Sequence, residues 1–85
     1  MLLTEIDTYL TELPQLHDSS DKKLLYDMVH KIHSATKYLG VPELGDAAYQ
    51  FEIKLKHLPN QAHPSSLEQI LLALTHLQKA QLNYD

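Results

Sequence analysis

Seven residues between positions 23 and 37 could do chemistry together, because helical spacing of about 100° per residue places them on one exposed stripe. The stripe contains, in chain order, Lys23, Tyr26, Asp27, His30, His33, Ser34 and Lys37. His30 lies nearly opposite the apolar Ile32, so its imidazole should face water. Neutral imidazole is a nucleophile near pH 7, and nearby ammonium groups can stabilise phosphoryl oxygens. The stripe is therefore compatible with a phosphoryl acceptor at His30, among lysines that would complement an acidic partner.

Two other interpretations fit the same residues. Surface helices often carry His and Lys, so the stripe also fits a helical protein-interaction module that is never phosphorylated. Asp27, His30 and His33, with Glu52 as a fourth ligand, could begin a metal site in a helical bundle. Metal-binding bundles need paired carboxylate and histidine motifs on several helices, and this pattern occurs on one, so we expect no metal.

Four amphipathic segments are predicted to position the stripe, since apolar residues recur in each at helical spacing. The predicted helices cover residues 2–16, 21–39, 42–58 and 65–83. Pro14 should end or kink the first helix, and Gly40 should end the second with left-handed backbone. Ser65, with Glu68 three positions later, is a capping-box pattern for the fourth. Short connections then predict an all-α, antiparallel up-down-up-down four-helix bundle, with residues 1–85 as a single domain.

The composition of the 85-residue chain narrows the possible functions. It contains no Cys, which excludes a disulfide scaffold and a thiol nucleophile. The net charge of −4 disfavours nucleic acid as a partner, and no apolar run is long enough to suggest contact with a membrane. An ATP site with its own catalytic machinery would hardly fit in one small domain. We therefore expect a cytoplasmic binding or relay module that is not an enzyme by itself.

Charge is distributed unevenly along the chain. Residues 1–21 contain five acidic side chains and no Lys, whereas residues 22–40 contain four Lys against one Asp. The segment that carries the histidine stripe is therefore the basic part of an acidic protein. We expect the acidic first helix to pack away from an acidic partner and the second helix to face it.

The spacing that follows His30 adds a more specific indication. An aliphatic residue comes two positions later, a small residue five, Gly ten, Leu fourteen and a carboxylate twenty-two. These positions hold Ile32, Ala35, Gly40, Leu44 and Glu52. Residues 29–52 thereby resemble the signature of histidine-containing phosphotransfer (HPt) domains. The run from His30 to His33, followed by Gly-Val-Pro, looks most like the HPt domain of BarA/GacS-type hybrid sensor kinases.

The resemblance implies a role for each matching residue. His30 falls on the phosphorylated histidine, and Glu52 falls on the residue that orients its imidazole. His33 falls on a position that is usually Lys, where a cation steadies the phosphoryl group, and Lys37 or Lys31 could share that role. His33 is also the rival acceptor. We prefer His30 because no carboxylate lies twenty-two positions after His33 to orient its ring.

The resemblance also implies partners. The chain would take a phosphoryl group from a receiver domain of a hybrid kinase and pass it to a response regulator, with Mg²⁺ supplied by the receiver and no cofactor of its own. Lys23, Tyr26, Asp27 and Ser34 would belong to the docking face, where Ser34 replaces the usual Gly. The isolated domain is expected to be a monomer at the cytoplasmic end of an inner-membrane sensor kinase.

The remaining histidines and several tyrosines are given structural interpretations. The histidines at helix ends, at breaks and in the last helix should be surface or capping groups. They are His17, His57, His63 and His76. Tyr26, Tyr38 and Tyr49 are expected to pack at the edge of the core.

Overall fold

The computed structural model describes residues 2–19, 21–58 and 61–82, and this part of the chain forms four α-helices and no strand. The helices are α1 (Leu2–Asp18), α2 (Lys22–Leu39), α3 (Pro42–His57) and α4 (Pro64–Leu82). Each helix packs against the next, and α1 also packs against α4, so the four form a closed ring in section. The two-residue connection between α2 and α3 forces α3 back alongside α2. The predicted four-helix bundle is confirmed.

Buried apolar side chains from all four helices form one core. On α2 the buried positions are Leu25, Val29, Ile32 and Thr36, spaced alternately four and three residues apart. Phe51 from α3 is the largest fully buried side chain of the core. Burial of each large apolar side chain contributes about 1.5–3 kcal/mol. These buried residues fix the rotation of α2 about its axis and so determine which of its other residues face solvent.

The first helix continues past Pro14, as the predicted range of 2–16 allowed, and ends two residues later than predicted. A proline inside a helix removes a hydrogen bond and costs about 3 kcal/mol. The last turn beyond Pro14 offsets this cost by packing, because Leu16 lies against the core and His17 is buried. The helix therefore ends at Asp18 rather than near residue 16.

The ends of α2 follow local sequence rules. Asp21 caps its N-terminus, with a carboxylate oxygen accepting the Leu24 N–H at 3.2 Å. Gly40 ends it at φ 63°, and its N–H donates to the Thr36 carbonyl at 3.0 Å. The left-handed backbone predicted at Gly40 is confirmed.

The start of α4 differs from the prediction. His63 takes the N-cap position, since its carbonyl accepts the Leu67 N–H at 3.0 Å, and Pro64 takes the first helical position. Ser65 therefore lies inside the first turn and does not cap the helix. The sequence rule favoured serine, but proline with its fixed φ begins the helix one residue earlier. The predicted end at residue 83 lies outside the described residues.

Candidate functional site

The candidate site lies where α2 packs against α3. The buried stripe of α2 turns His30 outward, and 57% of its side chain is exposed. His33, one turn later, is only 20% exposed because it is closer to α3. The imidazole of His30 is thus the more accessible of the two to a partner protein.

Glu52 of α3 joins the two histidines. Its neighbour Phe51 is buried in the core, which holds Glu52 at the boundary with α2, where its side chain is 13% exposed. One carboxylate oxygen, Oε1, lies 2.5 Å from Nδ1 of His30, and the other, Oε2, lies 2.8 Å from Nδ1 of His33. An ionised carboxylate only accepts hydrogen bonds, so each Nδ1 carries the proton and donates it. The Nε2 atom of a neutral His30 in this tautomer has a free lone pair.

The pKa of Glu52 reflects this arrangement. Burial alone would raise it, because a desolvated carboxylate is less stable. The hydrogen bonds from His30 and His33 oppose this effect, together with the attraction of their positive charge when protonated, and the pKa is lowered overall. Glu52 is therefore ionised, as an acceptor for both rings must be.

Two tyrosines flank the histidines. The ring of Tyr26 stacks on that of His30 with centroids 6.1 Å apart and planes 5° apart. The Tyr26 hydroxyl lies 3.5 Å from Oε1 of Glu52, at the long limit for a hydrogen bond. Tyr49 of α3 lies against His33 with centroids 5.4 Å apart. Both rings limit how the imidazoles can rotate.

The contact between Tyr49 and His33 was missed from the sequence. Tyr49 lies three residues before Glu52, which is the spacing that puts two side chains on one helix face. The spacing of Tyr49 and Glu52 could therefore have predicted that Tyr49 lies near the histidines. Tyr26 is half-buried against the core, as predicted, but Tyr38 and Tyr49 are exposed, so placing them at the core edge was wrong. Tyr38 is almost fully exposed near the end of α2, whereas Tyr49 is about half exposed at the edge of α3 that meets His33.

The sequence argument that left His33 without an orienting partner is also wrong. It compared only residues twenty-two positions apart, whereas Glu52 reaches His33 across nineteen. A carboxylate has two oxygens, and residues three apart on a helix share a face, so one Glu can serve both rings. Exposure, rather than possession of Glu52, distinguishes His30 from His33.

The other predicted site residues also lie on α2, although not all of them face solvent as the helical spacing predicted. Lys23, Asp27, Lys31 and Lys37 are exposed, and Ser34 is half-buried. Lys37 lines a shallow depression together with His33 and Tyr49. The structure thus brings His30, His33, Glu52 and Tyr26 into direct contact and leaves the lysines at the periphery.

Two of the remaining histidines, predicted to be surface or capping groups, are buried rather than at the surface, although His63 does cap α4. His17 and His63 are buried at the end of the bundle where α1 ends and α4 begins. The backbone N–H of His63 donates to Nε2 of His17 at 2.8 Å, and both rings meet the edge or face of Phe51. These two imidazoles can be buried because each has a hydrogen-bond partner, the His63 N–H for His17 and the Leu58 carbonyl for His63.

The last two histidines are exposed, as predicted. His57 lies at the end of α3, and Nδ1 of His76 lies 2.8 Å from a carboxylate oxygen of Glu43. Among the described residues, no three His, Asp or Glu side chains are arranged to hold a metal ion. None of the helices in the described part of the chain combines the length and apolar character needed to cross a membrane.

Comparison with known proteins adds independent evidence. Residues 1–80 match the family model of the Hpt domain. A 56-residue stretch, 66% of this chain, is 36% identical to part of the sensor histidine kinase GacS of Pseudomonas protegens. That stretch spans about 6% of the length of the kinase. No solved structure gives a significant match.

Proposed function

Because the chain belongs to the Hpt domain family, we propose that it is a phosphorelay intermediate that accepts a phosphoryl group on His30. A role in histidine phosphotransfer within two-component signalling agrees with the similarity to a sensor histidine kinase. Hpt domains are phosphotransfer modules that act with receiver domains. Which receivers serve this chain, and in which order, belongs to the proposal.

The hydrogen bond between His30 and Glu52 is the observation that carries the proposal. It fixes the proton on Nδ1 of an exposed imidazole, so that the lone pair of Nε2 points away from the carboxylate. In the proposed step, that lone pair attacks the phosphorus of an aspartyl phosphate on a receiver domain. The new P–N bond forms as the P–O bond to the aspartate breaks, and the aspartate leaves as a carboxylate. Glu52 stabilises the positive charge that develops on the ring.

The basic character of α2 supports an acidic receiver surface as the partner. Lys31 and Lys37 are proposed to stabilise the phosphoryl oxygens, and His33 adds to them when protonated. Lys23, together with Tyr26, Asp27 and Ser34, is proposed to contact the receiver around His30. Such an interface should bury less than about 1,200 Å², because a relay must release one receiver to engage the next.

The chemistry beyond His30 is assigned to the partner. We propose that this chain has no cofactor of its own and no catalytic activity alone, and that the receiver supplies the Mg²⁺ needed for transfer. The relative is a sensor kinase of which the match covers a small part. We propose that this module also works as part of a hybrid sensor kinase, on the cytoplasmic side of the inner membrane and as a monomer when isolated.

Transfer of labelled phosphate from phosphorylated receiver domains tests the acceptor. We expect label on the wild-type chain and on His33→Gln, and none on His30→Gln, because only His30 is predicted to accept the group. The label should be lost in acid and retained in alkali, as phosphohistidine is.

Each other result would change the conclusion. Label lost only in His33→Gln would keep the relay and move its acceptor. No label from any of several receivers would contradict the relay and leave a helical protein-interaction module. A circular-dichroism spectrum like that of the wild type would show that each variant is folded, so that a loss of label reports on the acceptor and not on the fold.

A further inference from the structure

Glu52 makes more hydrogen bonds than are needed to orient a single histidine. Its Oε1 accepts a hydrogen bond from His30, and its Oε2 accepts a second one from His33. His33 is itself better fixed than His30. It is less exposed, its ring lies against Tyr49, and the Thr36 hydroxyl donates to its backbone carbonyl at 2.6 Å.

Without His33, Glu52 would be held by the exposed His30 and by the Tyr26 hydroxyl, which lies 3.5 Å from Oε1, at the long limit for a hydrogen bond. The side chain of Glu has several rotatable bonds, so these two contacts to the same oxygen leave the carboxylate many orientations. A further hydrogen bond to the half-buried His33 removes most of these. The direction of Oε1, and therefore the proton position on His30, then depends on His33.

We propose that His33 is a positioning residue, which acts on His30 through Glu52 and not only by contact with the phosphoryl group. Its Nδ1–H holds Oε2, so that Oε1 faces Nδ1 of His30 and keeps Nε2 free for the incoming phosphorus. The inference rests on the proposed function of His30 as acceptor. The effect on the His30 tautomer exists in the free protein and is measurable without a receiver.

Two substitutions of His33 separate positioning from charge. His33→Asn keeps an N–H donor close to the place of Nδ1 but never carries a positive charge. His33→Ala removes both the donor and the charge. Positioning predicts that the His30 tautomer is the same in His33→Asn as in the wild type and differs in His33→Ala, whereas an effect of charge predicts that both variants change it alike.

The ¹⁵N chemical shifts of the His30 ring, measured by NMR near pH 8, report the tautomer directly. We expect the Nδ1–H form in the wild type and in His33→Asn, and a clear rise of the Nε2–H form in His33→Ala. His57→Ala is the matched control, because it removes an exposed histidine at the far end of α3. An unchanged His30 tautomer in folded His33→Ala would overturn the proposal.

The initial rate of transfer from a phosphorylated receiver gives the second readout. We expect His33→Ala to slow transfer about two- to tenfold, the factor that corresponds to loss of one ordinary hydrogen bond. In a Glu52→Ala background the same substitution should have no further effect, since the residue through which it acts is gone. Equal slowing in both backgrounds would contradict action through Glu52.

The two readouts keep the inference separate from the proposed function. If no receiver phosphorylates the chain while the tautomer still changes in His33→Ala, the positioning role stands and the relay fails. If transfer to His30 proceeds in every variant while the tautomer is unchanged, the relay stands and the positioning role fails.

Discussion

Glu52 makes the proton positions of two histidines depend on one carboxylate. Burial acts to raise its pKa, but the hydrogen bonds from both rings, together with their positive charge when protonated, lower it overall. The histidines and the glutamate therefore stabilise one another, with an anion between two donors. At the scale of the residue, a substitution at Glu52 should affect both rings at once.

Substitution of Glu52 tests this dependence. Glu52→Gln retains one acceptor oxygen and places an amide donor where the second oxygen was, so it can satisfy only one ring. Glu52→Ala satisfies neither. A hydrogen bond to a charged group is worth about 1.5–3 kcal/mol, so we expect Glu52→Ala to slow phosphoryl transfer at least about tenfold and Glu52→Gln to slow it less.

The rate of transfer to each variant, measured against the wild type at saturating receiver, checks this expectation. Glu43→Ala is the matched control, since Glu43 is the other glutamate that contacts a histidine from α3. A rate for Glu52→Ala equal to that of the control would contradict an orienting role for Glu52.

The pairing of Glu52 with His30 could be predicted from the resemblance to HPt domains, but its sharing with His33 could not. A sequence spacing relates only two positions at a time. Whether one carboxylate bonds to two histidines depends on how closely α3 approaches α2 and on where both carboxylate oxygens lie. The helices themselves followed from periodicity, because a buried stripe and a capping residue are local properties. Pro14 shows the limit, since packing of the last turn of α1 outweighs the local preference to end the helix.

At the scale of the elements, Gly45 controls how α2 and α3 meet beside the site. A Cβ at Gly45 would lie 3.0 Å from the Thr36 hydroxyl oxygen and 3.5 Å from its Cβ. The same hydroxyl donates to the carbonyl of His33. Any side chain at position 45 must therefore displace a group that fixes the backbone of His33.

A double-mutant cycle between Gly45 and Thr36 should show this close approach. Alanine is better than glycine inside a helix by up to about 1 kcal/mol, but in Gly45→Ala the contact with Thr36 offsets that gain. In a Thr36→Ala background the obstructing hydroxyl is absent, so Gly45→Ala should stabilise the protein by close to the full amount. Urea unfolding of the four proteins measures the free energies, and additive effects would show that the helices do not meet closely at Gly45.

At the scale of the whole molecule, the bundle is closed at one end by a pair of buried histidines. Nε2 of His17 accepts the His63 N–H, the ring of His63 lies 2.9 Å from the Leu58 carbonyl, and Lys22 donates to the His17 carbonyl at 2.5 Å. These contacts join α1, α2 and the start of α4. Residues 46 positions apart in the chain meet here, which is why no local pattern predicted it.

His17 should make the stability of the bundle depend on pH. Burial lowers its pKa, and the nearby charge of Lys22 lowers it further, against the opposing effect of Asp18. His63 also lowers the pKa of His17, and Glu68 of α4 lines the same depression as His17. A protonated Nε2 could no longer accept from the His63 N–H, so the fold requires the neutral ring.

The direction of the pH effect follows from the lowered pKa. The unfolded chain takes up a proton at His17 as the pH falls below about 6.5, whereas the folded chain resists until a lower pH. The contribution of neutral His17 to the free energy of unfolding is therefore complete above about pH 6.5, and it is lost as the pH falls toward and through the pKa of His17 in the folded chain.

In His17→Gln the amide oxygen can accept the same N–H at every pH. Thermal unfolding of both proteins between pH 8 and pH 5 measures the difference, and each 1 kcal/mol lost shifts the midpoint by about 4–8 °C in a domain of this size. The midpoint of the wild type should fall more steeply below pH 6.5 than that of the variant, and parallel curves would show that His17 does not couple protonation to folding.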